Sequence, residues 1–348
     1  MSAPLRGAAC GLAAAALFGL SAPVAKLLLG EISPVLLAGL LYLGAALGLA
    51  AYRSIGPATQ EAGLGRADAP KLALIALVGG VVAPVLMLLG LTRVTGLTGS
   101  LLLNLEAPFT ALLAVACFRE HLGVRAVTAA ALVLSGAAVL KLDSGPLGAD
   151  TLGALLLAGA CACWALDNNL TQTLSLRDPF AIVRVKTLVA GLMNTSLGLL
   201  TADGPLPSAG FIAAALGLGV LSYGVSVVLD AFALRLIGAA REAAYFATAP
   251  FVGALASFAL LGDPIHWHHG LAMLGMALGV LLLLRERHAH EHVHGALSHE
   301  HLHEHDEHHR HAHAAADPRG EPHSHVHHHD PLVHDHPHAS DAHHRHRH

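Results

Sequence analysis

The chain has 348 residues, 54% of them hydrophobic and only 13% charged, with a mean hydropathy of +0.57. Residues 1–284 carry 14 bases against 13 acids, whereas residues 285–348 carry 6 bases, 11 acids and 24 of the 28 histidines. A long apolar body followed by a hydrophilic tail excludes a soluble enzyme and a nucleic-acid binder, and reads as an integral membrane protein.

The first apolar run begins after Arg6 and reaches about Leu29. It is longer than the core of a cleaved signal peptide and many similar runs follow, so it reads as an uncleaved first span. A bilayer core needs about 20 apolar residues per helix. Ten runs meet that need: 6–29, 34–52, 71–92, 96–118, 122–141, 150–173, 179–201, 208–234, 240–261 and 265–284. Ser33-Pro34 and Asp178-Pro179 each place a capping oxygen before a proline at a first helical position. The loop 53–70 is the only long one before the tail. Cys10, Cys117, Cys161 and Cys163 all fall within apolar runs, where thiols behave as small hydrophobes, and suggest neither a disulfide framework nor a zinc site. With the N-terminus inside, Lys and Arg divide eleven to the inner side and three to the outer. That bias predicts cytoplasmic termini at both ends.

The two halves repeat. Glu106-Ala107-Pro108-Phe109 aligns with Thr248-Ala249-Pro250-Phe251, and Arg93-Val94-Thr95-Gly96 with Arg235-Leu236-Ile237-Gly238, both at a shift of 142. Glu120 then meets Asp263, Gly136 meets Gly279, Phe18 faces Trp164 and Pro34 faces Pro179. Five spans per repeat is an odd number, so the second copy enters the membrane inverted. Inverted repeats are a transporter architecture, with the substrate site near the midplane between the halves.

Ala16-Leu17-Phe18-Gly19, Leu103-Asn104-Leu105-Glu106-Ala107-Pro108 and Trp164-Ala165-Leu166-Asp167-Asn168-Asn169-Leu170-Thr171 resemble the EamA family of the drug/metabolite transporter superfamily, over about residues 8–284. The resemblance implies a ten-helix transporter of the inner membrane, often an exporter of metabolites. It implies no particular substrate, and the histidine tail departs from the family pattern.

Ionisable groups within spans are costly and are functional candidates by default. Glu106 lies near the middle of span 4, two residues before Pro108, where a carboxyl can exchange a proton or hold a cationic group. Asn104 stands beside it. The bland alternative is a structural glutamate bonded to a neighbouring helix, and Thr248 at the equivalent place denies a symmetric carboxylate pair. Asp167, Asn168 and Asn169 form a second cluster. Asp167 can pair with Lys186 or Arg184 to fix two helices together, or the three can line an inner vestibule, although on one helix they point in different directions. Asp230, near Arg235 and the Arg241-Glu242 pair, reads as a helix-end cluster, Lys26 as a snorkelling cation, and Trp164 and Tyr223 as packing. Pro23, Pro84, Pro108 and Pro250 mark expected kinks.

The tail reads as His-x-His runs. Its candidate metal ligands are His288, His290, His292, His294, His299, His301, His303, His305, His323, His325 and His327. Imidazole suits zinc, nickel, cobalt and copper. A segment of this composition forms no core and is expected to be disordered without metal. His121, His266, His268 and His269 fall in loops, the last three around Trp267 at the outer mouth.

The expectation is therefore an all-α membrane protein of ten transmembrane helices. They form two inverted five-helix repeats, 6–141 and 150–284, with a disordered, cytoplasmic, metal-binding tail at 285–348. The leading function is secondary transport, as an exporter, of a small polar metabolite by alternating access, with no cofactor required. Its partners are the bilayer, the solute and divalent ions at the tail. The alternative is a zinc, nickel or cobalt transporter that uses the tail as reservoir, and a third class is a non-transporting metal sensor. No Gly-x-x-x-x-Gly-Lys loop is present to support ATP-driven pumping, and no enzymatic constellation emerges.

Overall fold

The computed structural model describes residues 3–55, 62–118, 123–140, 149–174, 177–202, 204–284, 288–294, 297–303, 323–329 and 332–338. The body is all helical. Among the described residues, eight helices are long and apolar enough to cross a membrane: α1 (Leu5–Leu28), α2 (Pro34–Ser54), α3 (Arg66–Leu91), α4 (Gly96–Ala116), α6 (Asp150–Gln172), α7 (Pro179–Leu200), α8 (Ala209–Leu234) and α9 (Arg241–Leu261). Two shorter apolar helices, α5 (Val124–Val139) and α10 (Trp267–Leu282), occupy the places of the remaining two apolar runs.

The prolines interrupt the helices as their chemistry requires, because each removes a backbone donor from the preceding turn. α1 breaks at Leu20, three residues before Pro23. α4 tightens into a 3₁₀ turn at Leu103–Leu105 before Pro108. α9 breaks after Phe246 and resumes at Ala249, before Pro250. α3 widens into a π-helical segment, Ala76–Val82, directly ahead of Pro84, where a kink was expected, and α8 carries one that no proline announces, Val220–Val225. The two lie at equivalent places in the repeats, and wide turns of this kind gather at functional sites.

Exchange of the two repeats reproduces the packing. α2 lies along α7, α5 along α10, and α4 crosses α9. α1 packs on α8 and α9, while α6, its counterpart, packs on α3 and α4. Each repeat thus holds its first helix against the third and fourth of the other. Small residues allow the close approach between α2 and α7: a Cβ added at Gly198 would stand 2.6 Å from Leu36 Cα, and one at Gly191 2.7 Å from Leu43 N. Without a hydrophobic drive between helices in lipid, this backbone proximity is what holds such pairs together.

At the start of α7 the expected cap forms, with Asp178 Oδ1 accepting from Phe180 N at 2.9 Å and Ala181 N at 3.3 Å. Arg177, in the same loop, pairs with Asp68 at the start of α3, Nε to Oδ2 2.9 Å.

Within the tail, two antiparallel ladders form, His288–His294 with Leu332–His338 and Leu297–His303 with His323–His329. The expectation was of no fixed backbone there. The His-x-His alternation has the period of two that a strand also has, and the composition argument took no account of it. The tail's histidine side chains lie outside the described residues, as does His305 altogether.

Candidate functional site

A cavity of about 760 Å³ lies between the repeats, bounded by α1, α4, α6, α8 and α9. It runs from Ser100 and Gly19 in the interior to Gln172 at the end of α6 and Glu242 at the start of α9. Glu106 lines it, directly after the 3₁₀ turn that precedes Pro108 in α4. Asn168, from the other repeat, donates its Nδ2 to Glu106 Oε1 at 2.7 Å. This bond joins the two halves across the cavity.

Asn104 and Asn169 also line the cavity but are buried, at 5% and 2% exposure. Asn104 Nδ2 donates to Leu101 O at 3.0 Å, and Asn169 Nδ2 to Ala165 O at 2.8 Å and Thr110 O at 3.1 Å. Asn104 braces the 3₁₀ turn of α4 and Asn169 ties α6 to α4, whereas Asn168 reaches across the cavity to Glu106. Asp167 points the opposite way, into an ion pair with Lys186 of α7, and Thr171 Oγ1 donates to its other oxygen at 3.3 Å. Arg184 is exposed and is not the partner. Of the sequence candidates, Glu106, Asn104, Asn168 and Asn169 therefore meet in one cavity, while Asp167 and Lys186 join α6 to α7 behind it.

Behind this wall, Gly79 O in the π segment of α3 accepts from Trp164 Nε1 at 3.0 Å and Tyr42 OH at 3.1 Å. Sequence reading assigned Trp164 to packing, but the indole also lines the cavity, its orientation fixed by that bond. Phe18 packs against Phe246 at a tilt of 45°, centroids 5.2 Å apart, and meets Tyr223 edge-on at 5.6 Å.

Two carboxyls that sequence reading placed in a solvated helix-end cluster also belong to the cavity. Asp230 of α8 and Glu242 of α9 line it and come within hydrogen-bonding reach of each other, whereas Arg241 is exposed. Their place in the cavity depends on how α8 and α9 pack, which a linear count of spans does not contain. Thr248, the counterpart of Glu106, instead donates its Oγ1 to Tyr245 O at 2.7 Å.

The opposite end of the bundle is tied shut. Asp263 Oδ2 accepts from Leu97 N at 2.9 Å, so a carboxylate from one repeat satisfies the first turn of α4 in the other. Lys26 Nζ donates to Leu91 O and Val94 O at the end of α3, both at 2.6 Å. Alongside, His266, His268 and His269 border a small cavity of about 190 Å³ with Thr98 and Asp150. Among the described residues no group of three or more His, Cys, Asp or Glu is placed to hold a metal ion. His121 lies outside the described residues.

A helical membrane bundle built of two interlocked repeats, with a polar-lined cavity between them, is the form of a membrane transporter. The model of the EamA-like transporter family matches residues 5–142 and again 151–285, and the chain belongs to that family. It is 31% identical over 283 residues to an uncharacterized transporter of Methanothermobacter thermautotrophicus (strain ATCC 29096 / DSM 1053 / JCM 10044 / NBRC 100330 / Delta H), spanning 76% of this chain and 82% of that one. A solved crystal structure shares the fold at a TM-score of 0.57 and 17% identity, covering 81% of this chain and 98% of its own. The protein is thus a multi-pass membrane transporter acting on a small molecule.

Proposed function

We propose that the protein is a secondary transporter that exports a small polar metabolite through the cavity between its repeats. The carrying observation is the Glu106–Asn168 bond, which places an intramembrane carboxyl of one half against an amide of the other at the centre of that cavity. A group at such a joint feels both solute and the relative position of the halves, which is what alternating access requires. In this reading all ten apolar helices span the inner membrane, the second repeat is inverted, and both termini are cytoplasmic. The end closed by Asp263 and Lys26 is then the outer one, and the described conformation faces inward. The histidine tail is an accessory that binds zinc, nickel, cobalt or copper in the cytosol without supplying the pathway.

Proteoliposome flux with a panel of labelled amino acids, amines, sugars and divalent metals tests this. Glu106→Gln is expected to abolish flux of the transported solute while the protein stays folded and inserted. Normal flux through a correctly inserted Glu106→Gln protein would remove Glu106 from the mechanism. Flux of metal that depends on Glu106 would favour the metal-carrier alternative.

A further inference from the structure

We propose that the tail carries two sites for a divalent transition-metal ion, zinc or nickel, one on each of its strand ladders, centred on the register pairs His290–His336 and His301–His325. The inference rests on the reading of the tail as a metal-binding accessory and gives that reading particular positions and a stoichiometry.

The strand register carries it. In the first ladder His288 stands opposite His338, His290 opposite His336 and His292 opposite His334. In the second, His299 stands opposite His327, His301 opposite His325 and His303 opposite His323. Successive positions of a strand alternate between two faces, so each ladder gathers three consecutive histidine pairs on one face. In the first ladder a pairing displaced by one residue would set His290 and His292 against Asp335, Val333 or Pro337 instead. The two ladders also keep one common register: His294 to Leu297 is three steps forward, and their partners Leu332 to His329 are three steps back. Slip of one ladder against the other would need a bulge.

Opposite positions on such a ladder have Cβ atoms about 5 Å apart, and neighbouring pairs follow about 7 Å along the strand. Two adjacent pairs thus supply four histidine positions around one ion, the coordination number zinc takes with imidazoles at about 2.0–2.1 Å. The central pair belongs to both quartets that a ladder can form, so each ladder holds one ion of this kind. Nitrogen donors select zinc or nickel over magnesium and calcium, which take oxygen. The ladders also need the ion. A two-stranded ladder is marginal by itself in water, and the first sets Glu291 opposite Asp335 on its other face, like charges that oppose pairing. Metal binding then supplies the folding free energy of the tail.

The test uses the full-length protein in lipid nanodiscs, with zinc as the probe and its binding measured by competition against a chromophoric chelator. Ala289→His/His290→Ala exchanges two neighbours at the centre of the first ladder, and His301→Leu/Leu302→His does so in the second. Both exchanges keep all 24 tail histidines and every charge. The unaltered protein is expected to bind two ions in a tight class, each exchange variant one, and the double exchange none. The lost ion should be held at least about a hundredfold more weakly, because losing a ligand costs more than losing the outer-shell partner of one. Val293 and Val333 are register partners on the other face of the first ladder. Nitroxide labels at Val293→Cys and Val333→Cys, with Cys10, Cys117, Cys161 and Cys163 replaced by alanine, should show strong dipolar broadening in the zinc-bound protein. Tight binding unchanged in the double exchange, or no broadening at zinc saturation, would overturn the proposal and leave the tail a metal binder without register. No zinc binding by the unaltered protein would overturn the accessory reading as well.

Discussion

Removing one partner of the Asp167–Lys186 pair should destabilise the protein much more than removing both. The pair joins α6 to α7, and its two ends differ in burial: the Asp167 side chain is 3% exposed, the Lys186 side chain 19%. Breaking a buried pair costs roughly 3–5 kcal/mol because the surviving charge is left uncompensated, while replacing both members is often close to neutral. Lys186→Met strands the more buried charge, with Thr171 as its remaining bonded neighbour at 3.3 Å, and belongs near the upper end of that range. Asp167→Asn strands an ammonium that can still reach solvent, and belongs at about 3 kcal/mol or below. The double variant should cost less than either single one, so the coupling should exceed the larger single effect, about 3–5 kcal/mol. Unfolding by SDS titration in mixed micelles measures all three. Additive single effects would show that the pair contributes no coupling and that its place behind the cavity wall is incidental.

Gly198→Ala would drive a Cβ to 2.6 Å from Leu36 Cα, and α2 must give way at a cost of about 1–3 kcal/mol, read in the same titration; no change would mean that α2 and α7 can slide apart freely. Asp263→Ala removes the carboxylate bond to Leu97 N–H, a capping loss of about 1 kcal/mol. A Thr98→Cys reporter should then label several-fold faster with a polar thiol reagent, and an unchanged rate would clear Asp263 of holding that end shut. Deleting residues 288–348 removes all 24 histidines of the tail and none of the apolar helices, so solute flux should persist and zinc binding should fall; loss of flux would make the tail part of the pathway.

Much of the body was legible because its signals are local. Ten apolar runs, the Asp178-Pro179 cap and the breaks ahead of Pro23, Pro108 and Pro250 follow from residue chemistry a few positions wide. So does the mid-span place of Glu106. What escaped depends on rotation, tilt and backbone irregularity. Arg184 and Lys186 are two residues apart, roughly 200° around a helix, so one must face in and one out; composition does not say which. Asp230 and Glu242 sit near helix ends, and their place in the cavity is set by the packing of α8 and α9. Pro84 announced an irregularity in α3 but not its π form, and no proline announced the one in α8; with the π form went the bonds from Trp164 and Tyr42 to Gly79 O. In the tail, composition and periodicity pointed to different backbones, and only composition was weighed.

The central claim is that the cavity between the repeats is exposed to each side of the membrane in turn. Ala111 borders that cavity. In a background with Cys10, Cys117, Cys161 and Cys163 replaced by alanine, Ala111→Cys in sealed proteoliposomes of known orientation should react with a membrane-impermeant maleimide from either side. Transported solute should slow both reactions. Labelling from one side alone, under every solute and ion condition, would contradict the account and leave the cavity a vestibule that never changes face.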